Sequence, residues 1–486
     1  MTAHRQIFRA SAIIGTASVI NVFIGIVKVK VLAVLLGPVG VGLLGIYQNI
    51  MGLASSLAGC GVANSGVRQL AASQENAATL ALVRKALFYA NLLLGVTGMV
   101  LLWLLREPVT IWVFGNTEHA AEVGYLGIGV LLTLLAGSQT ALLQGMRRIG
   151  DLGRVQVLSA FAGAVTGIVV VWLWGRSGMM AFILAGPAAG VLVAAWYARR
   201  LPRPEAGHDW GELHRQWQAM FSLGIPLMAA GLLTLIVQLV ARSLVMQNLG
   251  LEATGYFQAA WVISMTYLGF VLNAMGAEYY PRLTSVIQDR ERAIKMVNEQ
   301  TEMLLLLAGP VLLAMMTFAP WVIELLYAKS FSPATEILRW QVMGDIVKVM
   351  TWPMGFVVLA QGRGGVFIGT QLNWNVVYLI FLWFGLPELG LVAMGIGFFL
   401  AYLAQVVVVR VVAGRLIGFK AEARNLSLFF AIFLAGSLIY AATLVSTQLS
   451  FGVGTLLIVV VGSYTLRRLN DLMNLTEWIR RKVGKF

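Results

Sequence analysis

The chain has 486 residues, 59% of them hydrophobic and only 12% charged, with a mean hydropathy of +0.82 and a formal charge of +14. A soluble globular protein of this size does not carry so much apolar surface. The surplus of base does not indicate nucleic acid either, because the 35 Lys and Arg sit mostly in short segments between long apolar runs, where insertion bias and anionic headgroups account for them.

The first apolar run, 11–36, is too long for a signal-peptide core and has no convincing cleavage site, so it is read as a retained helix. Thirteen more runs follow, at 42–65, 86–105, 121–145, 156–174, 179–198, 219–247, 254–277, 303–326, 337–360, 366–385, 390–412, 426–446 and 450–466. Each is long enough to cross a bilayer as a helix. With both termini in the cytoplasm, the basic clusters at Arg84-Lys85, Arg147-Arg148, Arg199-Arg200, Arg290 to Lys295 and Arg415 to Arg424 fall on the cytoplasmic side, as the positive-inside rule requires. External connections are short, the longest being 106–120, which leaves no room for an external catalytic domain. Trp103, Trp112, Trp172, Trp174 and Trp196 near span ends form the expected aromatic belt.

The segment 199–218 divides the chain. Its second half repeats Trp210, Leu213, Trp217 and Met220 at helical spacing, which predicts a short interfacial amphipathic helix. A shift of 213 places Leu36-Gly37 on Leu249-Gly250 and Gly42 on Gly255, and brings Lys28 and Lys30 either side of Arg242. The fold class expected is an all-α polytopic membrane protein of 14 transmembrane helices: two six-helix parallel repeats around a central cavity, plus two C-terminal helices. The organisation is an N-lobe at 1–198, a basic linker at 199–218, a C-lobe at 219–412, a cytoplasmic loop at 413–425, a helix pair at 426–466 and a basic tail at 467–486.

No P-loop pattern occurs, the four His are scattered without metal-ligand spacing, and no nucleophile–base arrangement is visible. The single cysteine, Cys60, excludes an internal disulfide and reads as a small packing residue. No catalytic residue, metal or cofactor is expected. Any movement of a solute across the membrane would then be passive or driven by an ion gradient or the membrane potential, not by hydrolysis in this chain.

Four cations fall more than three residues inside the span ends: Lys28, Lys30, Arg242 and Lys348. Charge in the hydrocarbon region is costly and marks a pathway or a pair. Lys28 and Arg242 lie at matching depth before Gly37 and Gly250, and with Lys30 they are the candidates for binding a phosphate-bearing anion; pairing with an internal carboxylate or snorkelling is the alternative. Asp345 and Lys348 are three apart on one helix and can touch, as a structural pair or as a titrating site that couples protons. Gln341, Asn373, Asn375 and Tyr378 could hydrogen-bond sugar hydroxyls or simply join helices. Arg68, Glu278 and Arg282 at cytoplasmic span ends are candidates for a gate, or ordinary loop charge. Pro226 and Pro353 inside spans should bend or loosen them.

The stretch from Lys30 to Pro38 and on to Gly61, the run Val297 to Glu302, the segment Phe331 to Gln341 continuing through Gly344-Asp345, then Gly355-Phe356 and Gly362-Arg363-Gly364 resemble the multidrug/oligosaccharidyl-lipid/polysaccharide exporter superfamily, in its polysaccharide or O-antigen (Wzx-type) translocase branch. The resemblance covers most of 10–415. It implies a flippase moving an undecaprenyl-pyrophosphate-linked oligosaccharide across a bacterial inner membrane for O-antigen, capsule or exopolysaccharide assembly, alongside a polysaccharide polymerase and a chain-length regulator. Many members of that branch stop at twelve helices; the extra pair resembles the lipid II flippases, where it helps form a groove for the polyprenyl tail. The rival readings are a drug–cation antiporter of the same superfamily, disfavoured by four intramembrane bases against Asp345 as the one clear acid, and a membrane polysaccharide polymerase or ligase, disfavoured by the lack of a long external loop.

Overall fold

The computed structural model describes residues 3–201 and 210–473. The central part of the expected linker, with Arg203 and His208, and the tail cations Arg480, Arg481, Lys482 and Lys485 lie outside the described residues, as do both chain ends. Among the described residues every regular element is helical. The chain forms two compact units, one reaching Gly255 and including Leu326–Ala328, the other comprising Tyr256–Leu325 and the residues from Lys329 onward.

The first unit contains α1 (Ala3–Gly59), α2 (Val62–Ala72), α3 (Ala77–Leu104), α4 (Arg106–Phe114), α5 (Ala120–Gly145), α6 (Ile149–Trp174), α7 (Met179–Ala198) and the first part of α8 (Trp210–Val286). Here α6 packs on α7, α3 and α7 pack on α5, and α1 packs on α6. The second unit holds the rest of α8 with α9 (Arg290–Thr317), all but the last residue of α10 (Ala319–Leu326), α11 (Ala334–Ala360), α12 (Gly364–Leu389), α13 (Val392–Ile417), α14 (Ala423–Val445) and α15 (Thr447–Met473). In it α13 packs on α11 and α12, while α9 is contacted by α11, α14 and α15.

Local chemistry sets many of these boundaries. Asn76 caps α3, its Oδ1 accepting from the amides of Ala78 and Thr79 at 3.0 and 3.1 Å, and Asp289 caps α9 through the Arg292 amide at 3.2 Å. A straight 57-residue helix would be about 85 Å long, nearly three times the hydrocarbon thickness. α1 is instead broken at Gly37 (φ 64°, ψ −168°), a conformation open to glycine, and the following Pro38 has no amide to continue the ladder. The 77-residue α8 breaks in the same way at Gly250 (φ 84°, ψ −179°). Among the described residues eleven stretches are long and apolar enough to cross a membrane; three of them, at Gly15–Gly59, Ile149–Ala198 and Gly231–Asn273, are 43 to 50 residues long. The first and third contain these glycine breaks, and the second contains the 3-10 turn Gly175–Gly178.

Large apolar side chains line the outside: Trp172 is 70% exposed, Phe384 71% and Leu192 72%. A soluble monomer does not leave so many such groups in water. Lipid is the solvent that fits them.

Four expectations change. The span expected at 42–65 ends at Gly59, where Cys60 and Gly61 turn left-handed (φ 48° and 67°) before α2 resumes and runs on to Ala72. The reason is a close backbone approach: a Cβ on Gly61 would collide with the Gly224 carbonyl. The span expected at 303–326 is two helices, α9 starting thirteen residues earlier at Arg290 and breaking at Phe318 before α10. The connection at 106–120, read as external, is not a plain loop: it holds α4, whose Thr110 and Val113 are buried. The amphipathic segment from Trp210 is helical but not short. It runs without a break into the next span, its Leu213 and Met220 are buried, and the Trp217 indole donates to the Ala86 carbonyl at 3.0 Å. Its apolar face joins the core around Leu80, Leu87, Leu142 and Tyr197, which buries it better than a headgroup region would.

Candidate functional site

The second unit brings polar and aromatic groups together inside its span-length helices. Gln341, Asp345 and Lys348 recur at i, i+4 and i+7 on one face of α11. The Asp345 carboxylate is fully buried; its Oδ2 accepts from Ser264 Oγ of α8 at 2.6 Å and its Oδ1 lies 3.8 Å from the Lys348 ammonium. That ion pair is too long for a hydrogen bond, and Oδ1 has no hydrogen-bond partner among the described residues. Lys348 also lies 3.8 Å from the Met265 sulfur and 5.6 Å from the centroid of the Tyr402 ring on α13. One turn away Gln341 is fully buried, and neither its amide oxygen nor its nitrogen has a hydrogen-bond partner among the described residues.

The wall beside this row is aromatic. Trp374 stacks on Tyr378 at 5.1 Å between centroids and meets Tyr402 at 5.5 Å; Trp261 of α8 lies 6.2 Å from Tyr378, and Phe398 stands edge-on to both indoles at 5.9 Å. Of the expected sugar contacts, Tyr378 belongs to this wall. Asn373 donates to the Gln405 side chain at 3.0 Å, joining α12 to α13, and Asn375 back-bonds to the Gln371 carbonyl at 2.8 Å. Trp261 and Trp374 were missed in the sequence because they sit in mid-span rather than in the interfacial belts; the flanking Asn373 and Asn375 were the available signal for Trp374.

In the first unit the Lys28 ammonium sits 4.4 Å from the centroid of the buried Phe182 ring of α7, a cation–π contact in an apolar setting. No carboxylate lies within ion-pair distance of it among the described residues. Lys30 is half-buried and engaged with neighbours. Arg242 is buried at 4% exposure and donates to the Gln238 carbonyl at 3.1 Å, alongside further contacts. The Gln238 side chain in turn accepts from Asn49 at 3.3 Å. Of the gate candidates, Glu278 and Arg282 pair at 3.0 Å along one helix with both side chains exposed, and Arg68 is exposed on α2 of the other unit.

Asp345 is not the one buried acid. Glu302 of α9, 3% exposed, accepts from Arg424 of α14 at 2.7 Å and from Arg468 of α15 at 2.9 Å. Beside it Asn298 receives the Glu422 amide and the Asn425 side chain and donates to the Lys420 carbonyl. This polar clasp fastens the last two helices to α9. Glu302 stood one residue before the expected span, so its burial was not visible.

This multi-pass membrane protein buries charged and aromatic groups inside its spans, and its fold is one that transporters of known structure share. It is similar to the lipid II flippase MurJ in its inward closed conformation, with a TM-score of 0.69 over 95% of this chain and 99% of that one at 11% identity. It is also similar to an inward-facing multidrug resistance MATE family transporter of the MOP superfamily, with a TM-score of 0.61 over 84% and 96% of the two chains at 16% identity. The model of the polysaccharide biosynthesis protein family matches residues 31–336, and the chain belongs to that family. Among curated relatives, the lipid III flippase of Escherichia coli (strain K12) is 23% identical over 415 residues, 82% of this chain and 95% of the relative. The lipopolysaccharide biosynthesis protein WzxC of the same organism is 19% identical over 393 residues, 80% and 77% of the two.

Proposed function

We propose that the chain flips an undecaprenyl-pyrophosphate-linked oligosaccharide across a bacterial inner membrane by alternating access, for O-antigen, capsule or exopolysaccharide synthesis. Its three longest apolar stretches would each supply two spans at their breaks, giving fourteen in all: two six-helix repeats and a C-terminal pair, with both termini cytoplasmic. Lys28, with Lys30 and Arg242, would receive the pyrophosphate. The observation that carries this reading is the Lys28 ammonium held on the Phe182 ring with no carboxylate in ion-pair range among the described residues. An incoming pyrophosphate supplies the charge-assisted acceptors that the ring lacks.

The buried amide of Gln341 and the rings of Trp374 and Tyr378 support sugar recognition, because an unsatisfied buried amide is costly and a hydroxyl-rich ligand would relieve it. Asp345 and Lys348 would serve as the ion pair or the coupling site. Arg68, Glu278 and Arg282 would act at the cytoplasmic mouth. The partners would be the lipid-linked glycan, the surrounding lipids, a polymerase and a chain-length regulator.

The test is a vesicle assay with the purified chain and a fluorescent polyprenyl-pyrophosphate oligosaccharide. Translocation to the opposite leaflet, measured by loss of accessibility to a membrane-impermeant quencher, is expected. No translocation of this lipid alongside uptake of an organic cation would replace the reading with the drug–cation antiporter.

A further inference from the structure

A second cluster of cations lies apart from the spans' buried charges, in the first unit. A cavity of about 420 Å³ opens where α3, α5 and α7 meet. Its polar end carries Arg84, Lys85 and Arg199, and its inner wall is apolar, with Leu87, Leu142 and Ala195. No acid is among its lining residues.

The three cations are held in different ways. Arg84 donates at 3.2 Å to the Ala198 carbonyl at the end of α7, which also accepts from the Leu201 amide, and this holds the guanidinium at the rim. Arg199 is the C-cap of α7, and Lys85 follows Arg84 on the half-buried face of α3. The depth of the cavity is marked by aromatic anchors. Tyr89 and Phe88, 46% and 39% exposed, form its outer lip. Next to it the Arg200 guanidinium stacks 3.8 Å from the ring centroid of the half-exposed Trp196. Trp, Tyr and Arg grouped in this way belong at headgroup level, where one end of a site is wet and the other faces acyl chains.

A free anion would use the cations but not the apolar wall, and a neutral lipid would use the wall but leave three like charges crowded together. An anionic phospholipid uses both, and basic pockets between helices at the cytoplasmic surface are suited to such headgroups. We propose that this cavity is a binding site for an anionic phospholipid, its phosphodiester at Lys85 and Arg199 and its acyl chains running over Leu87 and Phe88. The site is independent of the glycan-lipid reading, since it shares no residue with it.

The experiment places the photo-crosslinking residue p-benzoylphenylalanine at position 88 in the full chain. The chain is reconstituted in vesicles of one part phosphatidylglycerol to about three parts phosphatidylethanolamine, and the adducts are identified by mass. Phosphatidylglycerol adducts are expected well above the vesicle proportion. They should fall about tenfold in Lys85→Ala/Arg199→Ala and persist in the charge-keeping Lys85→Arg/Arg199→Lys, which also controls for folding. Adducts that follow the vesicle composition, or that survive loss of both cations, would overturn the proposal. Loss of the adduct when inorganic phosphate is added before irradiation would also overturn it, by assigning the cations to a free anion.

Discussion

Gly42 and Gly255 pack backbone against backbone. A Cβ on Gly42 would lie 2.9 Å from the Gly255 amide nitrogen and collide with the Leu251 carbonyl oxygen, and a Cβ on Gly255 would collide with the Pro38 carbonyl oxygen. The contact is reciprocal, because the offset of 213 that carries Gly37 onto Gly250 also carries Pro38 onto Leu251 and Gly42 onto Gly255. Each glycine meets the counterpart of the residue that its own counterpart meets, which is a local two-fold relation at the crossing of α1 and α8.

Alanine at either glycine should therefore destabilise. Helix propensity favours Ala over Gly by about 1 kcal/mol, but the obstructing atoms are backbone carbonyls that cannot rotate aside, and overpacking of this kind costs about 1–3 kcal/mol. Gly42→Ala is expected to lower the melting temperature in detergent. Gly52→Ala on the same helix, where a Cβ meets nothing within 4 Å, should leave it unchanged or raise it. Equal effects at both positions would show that the crossing is not tight.

Lys28→Ala or Arg242→Ala should abolish glycan export in complemented cells while the protein still inserts and accumulates. Lys28→Arg should keep part of the activity because the charge survives. Arg242→Lys should lose more, since a planar fork is replaced by a point charge. Surface-glycan staining together with an immunoblot reads both quantities. Wild-type export from the double alanine variant would return the two cations to a structural role.

The Glu302 clasp predicts an asymmetry. Arg424→Ala/Arg468→Ala leaves the buried Glu302 carboxylate without its two cations, a situation that costs about 3–5 kcal/mol. Glu302→Gln removes the charge but keeps hydrogen-bonding capacity toward two partly exposed arginines, so it should cost less. Thermal unfolding in detergent and protease cleavage near residue 420 should rank the double arginine variant as the weaker.

Topology can be read with single cysteines in a Cys60→Ser background. A cysteine at Glu388 should react with a membrane-impermeant maleimide on intact cells, whereas one at His208 should react only after lysis. Labelling of the cysteine placed at position 208 on intact cells would invert the orientation and move the basic clusters to the outside.

Several features of this chain are local and were readable from residues alone. Runs of apolar residues long enough to cross a membrane must be helical there, because hydrocarbon offers no other partner for backbone amides. Gly37 before Pro38 and its counterpart Gly250 break long helices because only glycine adopts those angles cheaply. The i, i+3 spacing brought Asp345 to Lys348 without help from the rest of the fold. What the sequence could not decide were encounters between distant segments. Ser264 donates to Asp345 from 81 residues away, Arg424 and Arg468 reach Glu302 from 122 and 166, and Trp217 finds the Ala86 carbonyl from 131. The pattern at Trp210 to Met220 identified an apolar helical face but not its solvent, since lipid headgroups and a protein core select the same residues. Only the packing of α8 on α3 decided between them, by giving the indole a carbonyl and the apolar side chains a close-packed core.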